Sequence, residues 1–409
     1  DLIKSVARIY AKAKSSIIFW GMGISQHIHG TQNAFSLINL ALITGHVGKP
    51  GTGLHPLRGQ NNVQGASDAG LIPMSYPDYK SVSKNENKYE MQSFWDTSLE
   101  FDDGKTVVEI INAIYDQKIK GLYVQGENPA MSDPDQIHTR KALAKLEHLV
   151  VQDIFMTETA WNADIILPAS AHAEKTGTYT NTNRQVQLGR AVVNPPKNVR
   201  QDWWIINEIA NRMGLSWDYK SPKDIFLEMK LVMPSLNNIS WERLESEGSV
   251  TYPAKSATDP GDDIIFTDGF PTVNNLAKII PVKIIEPNDE INKNFPFVLS
   301  TGRMLEHWHT GTMTRKSFVL NDIEPDPVIF MNHNDFKKYN LDLSQKVIVE
   351  TRRGKIKLNV RLDENLLSGM IFLPFCFKEA AANILTKSDL DPIGKIPELK
   401  FSAAKVYQY

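Results

Sequence analysis

The stretch from 105 to 168 constrains the fold most, because helical and strand patterns alternate there without a break. The spacing predicts a helix over 105–117, a strand at 121–125 (GLYVQ), a helix over 135–147 and a strand at 149–155 (LVVQDIF). A short helix and a strand at 164–167 (DIIL) follow. Strands separated by helices pair in parallel, and ligands gather at their carboxyl ends. Those ends are Gln125-Gly126-Glu127-Asn128, then Asp153-Ile154-Phe155, then Pro168-Ala169-Ser170.

The flanking regions read differently. A helix over 2–13 leads to a short apolar strand at 16–20, and a second helix follows at 33–43. Residues 44–70 hold seven glycines, Arg58 and a run of amides. No regular helix or strand is expected from that composition. An ordered loop that lets its backbone approach a ligand is the expectation instead. Residues 171–202 read as polar loop, 203–213 as helix, and 235–290 as irregular. After a boundary at 285–294 the pattern turns to strands: 297–300, 328–331, 346–351, 355–362 and 370–375, with a helix at 334–339. The fold class is therefore α/β, with parallel-sheet Rossmann-like domains followed by a C-terminal β-barrel domain.

Composition excludes several functions. The 409 residues carry 45 Lys and Arg against 47 Asp and Glu. That balance lacks the basic face a nucleic-acid binder needs. A single cysteine, Cys376, leaves no disulfide framework, no CxxC zinc site and no iron–sulfur cluster held by this chain alone. Flanked by Phe375 and Phe377 in a predicted strand, it reads as a buried hydrophobe. No apolar run reaches 18 residues, so no membrane span is expected. No targeting signal is legible either, and a cytoplasmic location is the expectation, with the compartment of any longer protein left open. The chain opens without Met on what reads as mid-helix, which suggests one piece of a longer protein.

Phosphate-loop, HExxH and GxSxG motifs are absent, and Gly21-Met22-Gly23 lacks the third glycine of a dinucleotide fingerprint. The run from Gly53 to Gly65, GLHPLRGQNNVQG, closely resembles the GxNPLRGQNNVQG element of formate dehydrogenase catalytic subunits, a branch of the molybdopterin-guanine-dinucleotide oxidoreductases. His55 departs from it, standing where the element has Asn. The resemblance extends to NLALITGHVGKPGTG just before, GENPAMSDPD at 126–135, VVQDIFMTETAWNADIILPASAHAEKTGTYTNTNRQVQ at 150–187, and STGRMLEHWHTGTMTR at 300–315. It covers nearly the whole chain.

The resemblance implies three portions: 1–58 as the end of an α/β domain, 59–285 as the α/β molybdopterin-dinucleotide-binding region, and 286–409 as a cofactor-binding β-barrel. It implies a bis-molybdopterin guanine dinucleotide cofactor with molybdenum or tungsten. The [4Fe–4S] cluster and the Cys or selenocysteine metal ligand would come from an upstream segment. Formate is the implied substrate, and an electron-transfer subunit or the upstream segment the implied partner.

Arg58 is the implied catalytic residue, since a guanidinium fork can hold both oxygens of a small carboxylate. Gln60 either shapes the same pocket or satisfies its own loop. Pyrophosphates need backbone N–H groups and guanines need carboxylates. Gly126, Glu127 and Asn128 sit where such groups are wanted. Asp133 either joins them or caps a helix. Gln152, Asp153 and Thr157 flank the next strand end, with a helix cap as the alternative for Asp153. In the last domain Thr301, Arg303, His307, His309 and Thr312 are implied cofactor contacts, and Asn383 reaches the same group from a second loop. His172, Glu174 and Lys175 are read as a plain loop, and no metal ligand is assigned within the chain. Two other readings remain open: a catalytically incomplete pterin-binding fragment, and a sibling oxidoreductase such as a nitrate reductase.

Overall fold

A computed structural model describes residues 1–99, 103–283 and 285–409. They form two compact units. The fold is mixed α/β with parallel sheets and a closed C-terminal barrel.

The first unit takes Asp1–Gly21, Ala34–Thr106 and Ala169–Val282. Ile17–Trp20 and Gly53–Pro56 pair in parallel, Ile18 opposite Leu54. The glycine-rich stretch is therefore more regular than expected: it contributes this strand and a helix, Val63–Asp68. The parallel partner supplies the ladder bonds that local propensity would not predict. One glycine there serves chain packing. A Cβ on Gly48, which has φ +72°, would lie 2.4 Å from the Phe266 carbonyl oxygen.

Residues 171–202, expected as loop, hold a hairpin. Gly177–Thr180 and Gln185–Gly189 pair antiparallel, and Ser249–Thr251 joins the second strand. The turn is fixed by Asn181, whose Oδ1 accepts from the Asn183 and Gln185 N–H groups at 2.9 and 3.1 Å. The third strand and the helix Trp241–Glu247 also correct the irregular reading of 235–290. Further helices at Asn85–Trp95, Asp202–Arg212 and Pro222–Val232 surround a core built on Met91, Val186, Phe226, Ile239, Leu244 and Val250.

The second unit takes Met22–Asn33, Val107–Pro168 and Lys283–Tyr409. Gly121–Gln125, His148–Asp153 and Ile165–Pro168 form a parallel sheet in chain order, Val124 opposite Val151 and Val151 opposite Ile166. Helices Val107–Tyr115 and Gln136–Leu143 pack together through Ile111, Ile114, Ala142 and Leu143. This is the alternation read from the sequence.

Around the barrel the order is Phe297–Gly302, Met370–Pro374, Val328–Met331, Lys355–Leu362, Val347–Thr351 and Ser402–Gln408. Five strands were expected. The sixth, Ser402–Gln408, pairs with both the first and the fifth in this order and closes the cylinder. Closure leaves no open edge. Alternate residues fill the interior, Phe297 and Leu299 from one strand, Val347 and Val349 from another. Cys376 lies just past the strand Met370–Pro374 instead of within it. It is buried, and burial pushes its thiol up to about 12.

The early segment of this unit is tied to the end of the chain. The Asp391 carboxylate accepts from the Thr31 backbone N–H at 3.0 Å and the Thr31 hydroxyl at 2.7 Å. The Gln26 carbonyl accepts from the backbone of Leu399 and Lys400. Glu398, fully buried, faces His27 at 3.5 Å and Lys387 at 2.8 Å. The Lys387 contact is off hydrogen-bond geometry and acts as an ion pair. Among the described residues no helix is long and apolar enough to cross a membrane.

Candidate functional site

The candidate side chains fall into two groups, one in each unit. In the first unit, Arg58 and Gln60 stand exposed on the loop between the strand Gly53–Pro56 and the helix Val63–Asp68. They line a cavity of about 440 Å³ together with Asn62, His172, Tyr179 and Thr180. The loop is braced from below. Asn62 has φ 63°, and its Oδ1 accepts the Thr180 N–H at 2.9 Å. A Cβ on Gly65 would meet that same oxygen at 2.1 Å and would push it off the Thr180 N–H. Asp68 is buried and accepts from Gln64 at 2.7 Å and from the Tyr252 hydroxyl at 2.8 Å. Arg58 itself has no hydrogen-bond or ion-pair partner among the described residues, so its fork is free for an anion. His172 receives or gives a bond at Nδ1 with the Tyr179 hydroxyl, 3.1 Å away.

In the second unit, Gly126, Glu127 and Asn128 follow the strand Gly121–Gln125, and the short helix Pro129–Ser132 comes next. Gly126 takes φ 64° while its N–H reaches the Gln152 carbonyl. Asn128 is buried and joins three segments. Its Oδ1 accepts from the Thr159 N–H and hydroxyl at 3.1 and 2.8 Å, and its Nδ2 donates to Glu158 at 2.8 Å and Thr312 at 3.4 Å. Glu158 was not singled out from the sequence, because only this fold gives it a partner 30 residues away. Asn383 donates to the Ser132 carbonyl at 2.6 Å. Thr157 accepts from the Ala160 N–H and holds the turn after the second strand.

Three acids gather at the same edge. Burial, then Asp153, raises the Glu127 carboxyl. Burial pushes Asp133 up to about 7, with Glu127 adding to it against an opposing bond from Ser132. Asp133 caps no helix N-terminus: it stands at the C-terminal end of Pro129–Ser132, Asp135 precedes the next helix, and the Asp133 Oδ2 is buried without a hydrogen-bond partner. Asp153 accepts from the N–H groups of Ile154 and Phe155 in a tight turn instead of capping a helix. Gln152 is buried beside the Tyr123 hydroxyl, which donates to it.

At the end of the first barrel strand, the Thr301 hydroxyl donates to the Leu399 carbonyl at 2.7 Å. Arg303 lies 4.7 Å over the Trp308 ring. His309 takes φ 52°, and burial, then Arg303, holds its imidazole below the usual histidine range. His307 is buried with Nε2 at 2.7 Å from the Glu324 carbonyl and Nδ1 unpartnered. Thr312 sits 3.1 Å from Thr310. Among the described residues no three His, Cys, Asp or Glu side chains group as metal ligands.

The Asp133 shift has a measurable consequence. A carboxyl whose folded value is raised stays protonated while the unfolded chain ionises, so it costs stability as pH rises from about 4 to about 7. Asp133→Asn removes that cost. The variant should unfold at higher urea than wild type at pH 8 and at the same urea at pH 3. Equal midpoints at pH 8 would remove the assignment of a strained acid to this position.

Comparison with known proteins is consistent along the chain. The family described as "Molybdopterin oxidoreductase" matches residues 3–212, and "Molydopterin dinucleotide binding domain" matches residues 297–403. The F420-dependent formate dehydrogenase subunit alpha of Methanocaldococcus jannaschii is 43% identical over 99% of this chain and 60% of its own length. Formate dehydrogenase H of Escherichia coli is 35% identical over 99% of this chain and 57% of its own. The chain thus spans about three fifths of the length of these two relatives. The solved acetylene hydratase of Pelobacter acetylenicus superposes with a TM-score of 0.72 at 18% identity, covering 100% of this chain and 63% of that one, which shows a shared fold. This chain belongs to the molybdopterin oxidoreductase family.

Proposed function

We propose that this chain is part of an enzyme that oxidises formate to CO2 at a molybdenum or tungsten centre held by two molybdopterin guanine dinucleotides. The reaction releases one proton and two electrons. The electrons pass to an iron–sulfur cluster held outside these 409 residues, and on to a partner subunit. The observation that carries the reading is Arg58: an unpaired guanidinium on the RGQNNVQG loop, facing a cavity. We assign residues 1–58 to the end of one α/β domain, 59–285 to the dinucleotide-binding α/β region, and 286–409 to the cofactor-binding barrel.

The residues present fit such a cofactor. A guanine edge offers two adjacent N–H donors, and the buried, unpartnered Oδ2 of Asp133 is an acceptor of the type it needs. Glu127 stands beside it, and Asp153 beside Glu127. Gly126, with its left-handed backbone, and Asn128, Gln152, Thr157, Thr312 and Asn383 would shape the same edge. Thr301, Arg303, His307 and His309 would hold the barrel side. When bound, the group supplies the two-electron acceptor. The chain's own part is to bind formate through Arg58, with Gln60 beside it, and to hold the carboxylate in one orientation.

Protein isolated from its native source should contain molybdenum or tungsten, release guanine nucleotide on acid treatment in a ratio of about two per metal, and reduce a viologen dye with formate. Metal and guanine without formate-dependent reduction would point to a sibling oxidoreductase. Neither metal nor guanine would sink the reading.

A further inference from the structure

The cavity that Arg58 lines holds one side chain of a type that takes up a proton near neutral pH. Its walls come from residues 58–64 and 172–189, all within the first unit. Among the described residues that line it there is no carboxylate. Most are amides, hydroxyls, glycines and aliphatic groups. An arginine keeps its proton throughout the physiological range, and a tyrosine releases one only near pH 10. Imidazole is the type that exchanges a proton in between, and His172 supplies it.

Local structure holds that ring. The Ala171 N–H donates to the Glu174 carboxylate at 2.8 Å, which closes the single turn His172–Glu174. The Tyr179 hydroxyl, on the strand Gly177–Thr180, lies 3.1 Å from His172 Nδ1, and the two rings meet edge-on at 5.2 Å. The neighbouring strand makes room for Tyr179. A Cβ on Gly189 would stand 2.5 Å from the Tyr179 Cε2. Burial, then Asp202, raises the Tyr179 hydroxyl, so it stays uncharged. The nearby carboxylates are engaged: Asp202 with Lys175, and Glu174 with the Ala171 N–H. His172 Nε2 has no hydrogen-bond partner among the described residues, and the residue is open to solvent as well as to the cavity.

We propose that His172 carries the proton of formate oxidation out of this cavity, with Tyr179 as the positioning residue that holds its ring. The neutral imidazole keeps its hydrogen on Nδ1, donated to the Tyr179 oxygen, and offers the Nε2 lone pair. Formate yields CO2, two electrons and one proton. The electrons go to the bound cofactor. The proton passes through cavity water to Nε2, and the imidazolium returns it to bulk solvent. Nδ1–H donates to Tyr179 in both states, so the ring need not turn. This rests on the formate reading above and adds to it the route by which the proton leaves.

The test uses the native enzyme with formate and a viologen dye. In dilute buffer His172→Ala should lower kcat on the order of 100-fold, the low end of what a positioned acid–base group supplies. Added imidazole should restore that rate in proportion to its concentration and leave wild type unchanged. Such rescue also shows that the variant has folded. Tyr179→Phe keeps the ring beside Gly189 and should cost about 3- to 10-fold, the worth of one neutral hydrogen bond. With deuterated formate, the isotope effect on kcat should be smaller in His172→Ala than in wild type, because proton departure then limits turnover instead of C–H cleavage. Wild-type turnover in His172→Ala, or a loss that imidazole does not reverse, would overturn the relay. An unaltered variant beside a wild type active on formate removes the relay alone. A wild type inactive on formate removes the formate reading, and the relay with it.

Discussion

Replacing Arg58 with Ala in the native enzyme is expected to lower kcat/KM for formate by about 100- to 1000-fold. Formate offers two oxygens and one C–H, and nothing else to grip. A guanidinium fork makes two parallel charge-assisted bonds to those oxygens, and losing such a desolvated pair costs about 3–4 kcal/mol. Arg58→Lys should recover part of the loss, because a point charge attracts formate without fixing its plane. The split between parameters is informative. A rise in KM with kcat intact would mean the fork only binds, whereas a fall in kcat would mean it also orients. Both variants should fold normally, since Arg58 is exposed and makes no bond that holds the loop. The bracing comes from Asn62, Gly65 and Asp68 instead. Unchanged formate turnover in Arg58→Ala would remove the substrate role.

Asp391→Ala should destabilise the second unit by on the order of 3 kcal/mol, as a buried charge-assisted network loses its acceptor. Asp391 is 1% exposed. Besides both Thr31 groups it accepts the Ile393 and Gly394 N–H groups at 2.9 and 2.5 Å. Burial works against its charge, but the Thr31 bonds and the Gly394 and Ile393 N–H groups outweigh it and hold the carboxyl below its ordinary value. Glu398 behaves alike: burial opposes the charge, and His27 and Lys387 overcome it. For a depressed carboxyl, the stabilisation is present above the unfolded value, about 4, and is lost as pH falls through the lower folded one. Wild type should therefore lose stability in acid below about pH 4 more steeply than Asp391→Ala does. Hydrogen exchange in Met22–Asn33 reads this directly. Protection unchanged by the substitution would refute it.

Much of the fold was legible because its periodicities are strong. The strand Gly121–Gln125 matches its expected limits, and the helices at 107–115 and 136–143 fall inside theirs. The hairpin at 177–189 was missed because its residues are mostly small or polar, although Thr, Tyr and Val alternate on either side of an Asn-Thr-Asn turn. The closing barrel strand was missed because Ser402, Ala403 and Ala404 carry little strand propensity. Their position is set by the two strands they join. The Arg58 loop was legible from its motif, but not its brace: Asn62 meets Thr180 across 118 residues.

The tie between Thr31 and Asp391 also sets a timetable. The two residues are 360 positions apart. At roughly 5–20 residues per second, a ribosome makes the second about 20 to 70 s after the first. The strand that closes the barrel, Ser402–Gln408, is made later still. Throughout that interval Met22–Asn33 waits without its partners, and the barrel has an open edge. The second unit can therefore close only after Ser402–Gln408 has been made. Any group held by both its early and late segments must be loaded after that point, and removing Ser402–Gln408 would leave an unfinished receptacle.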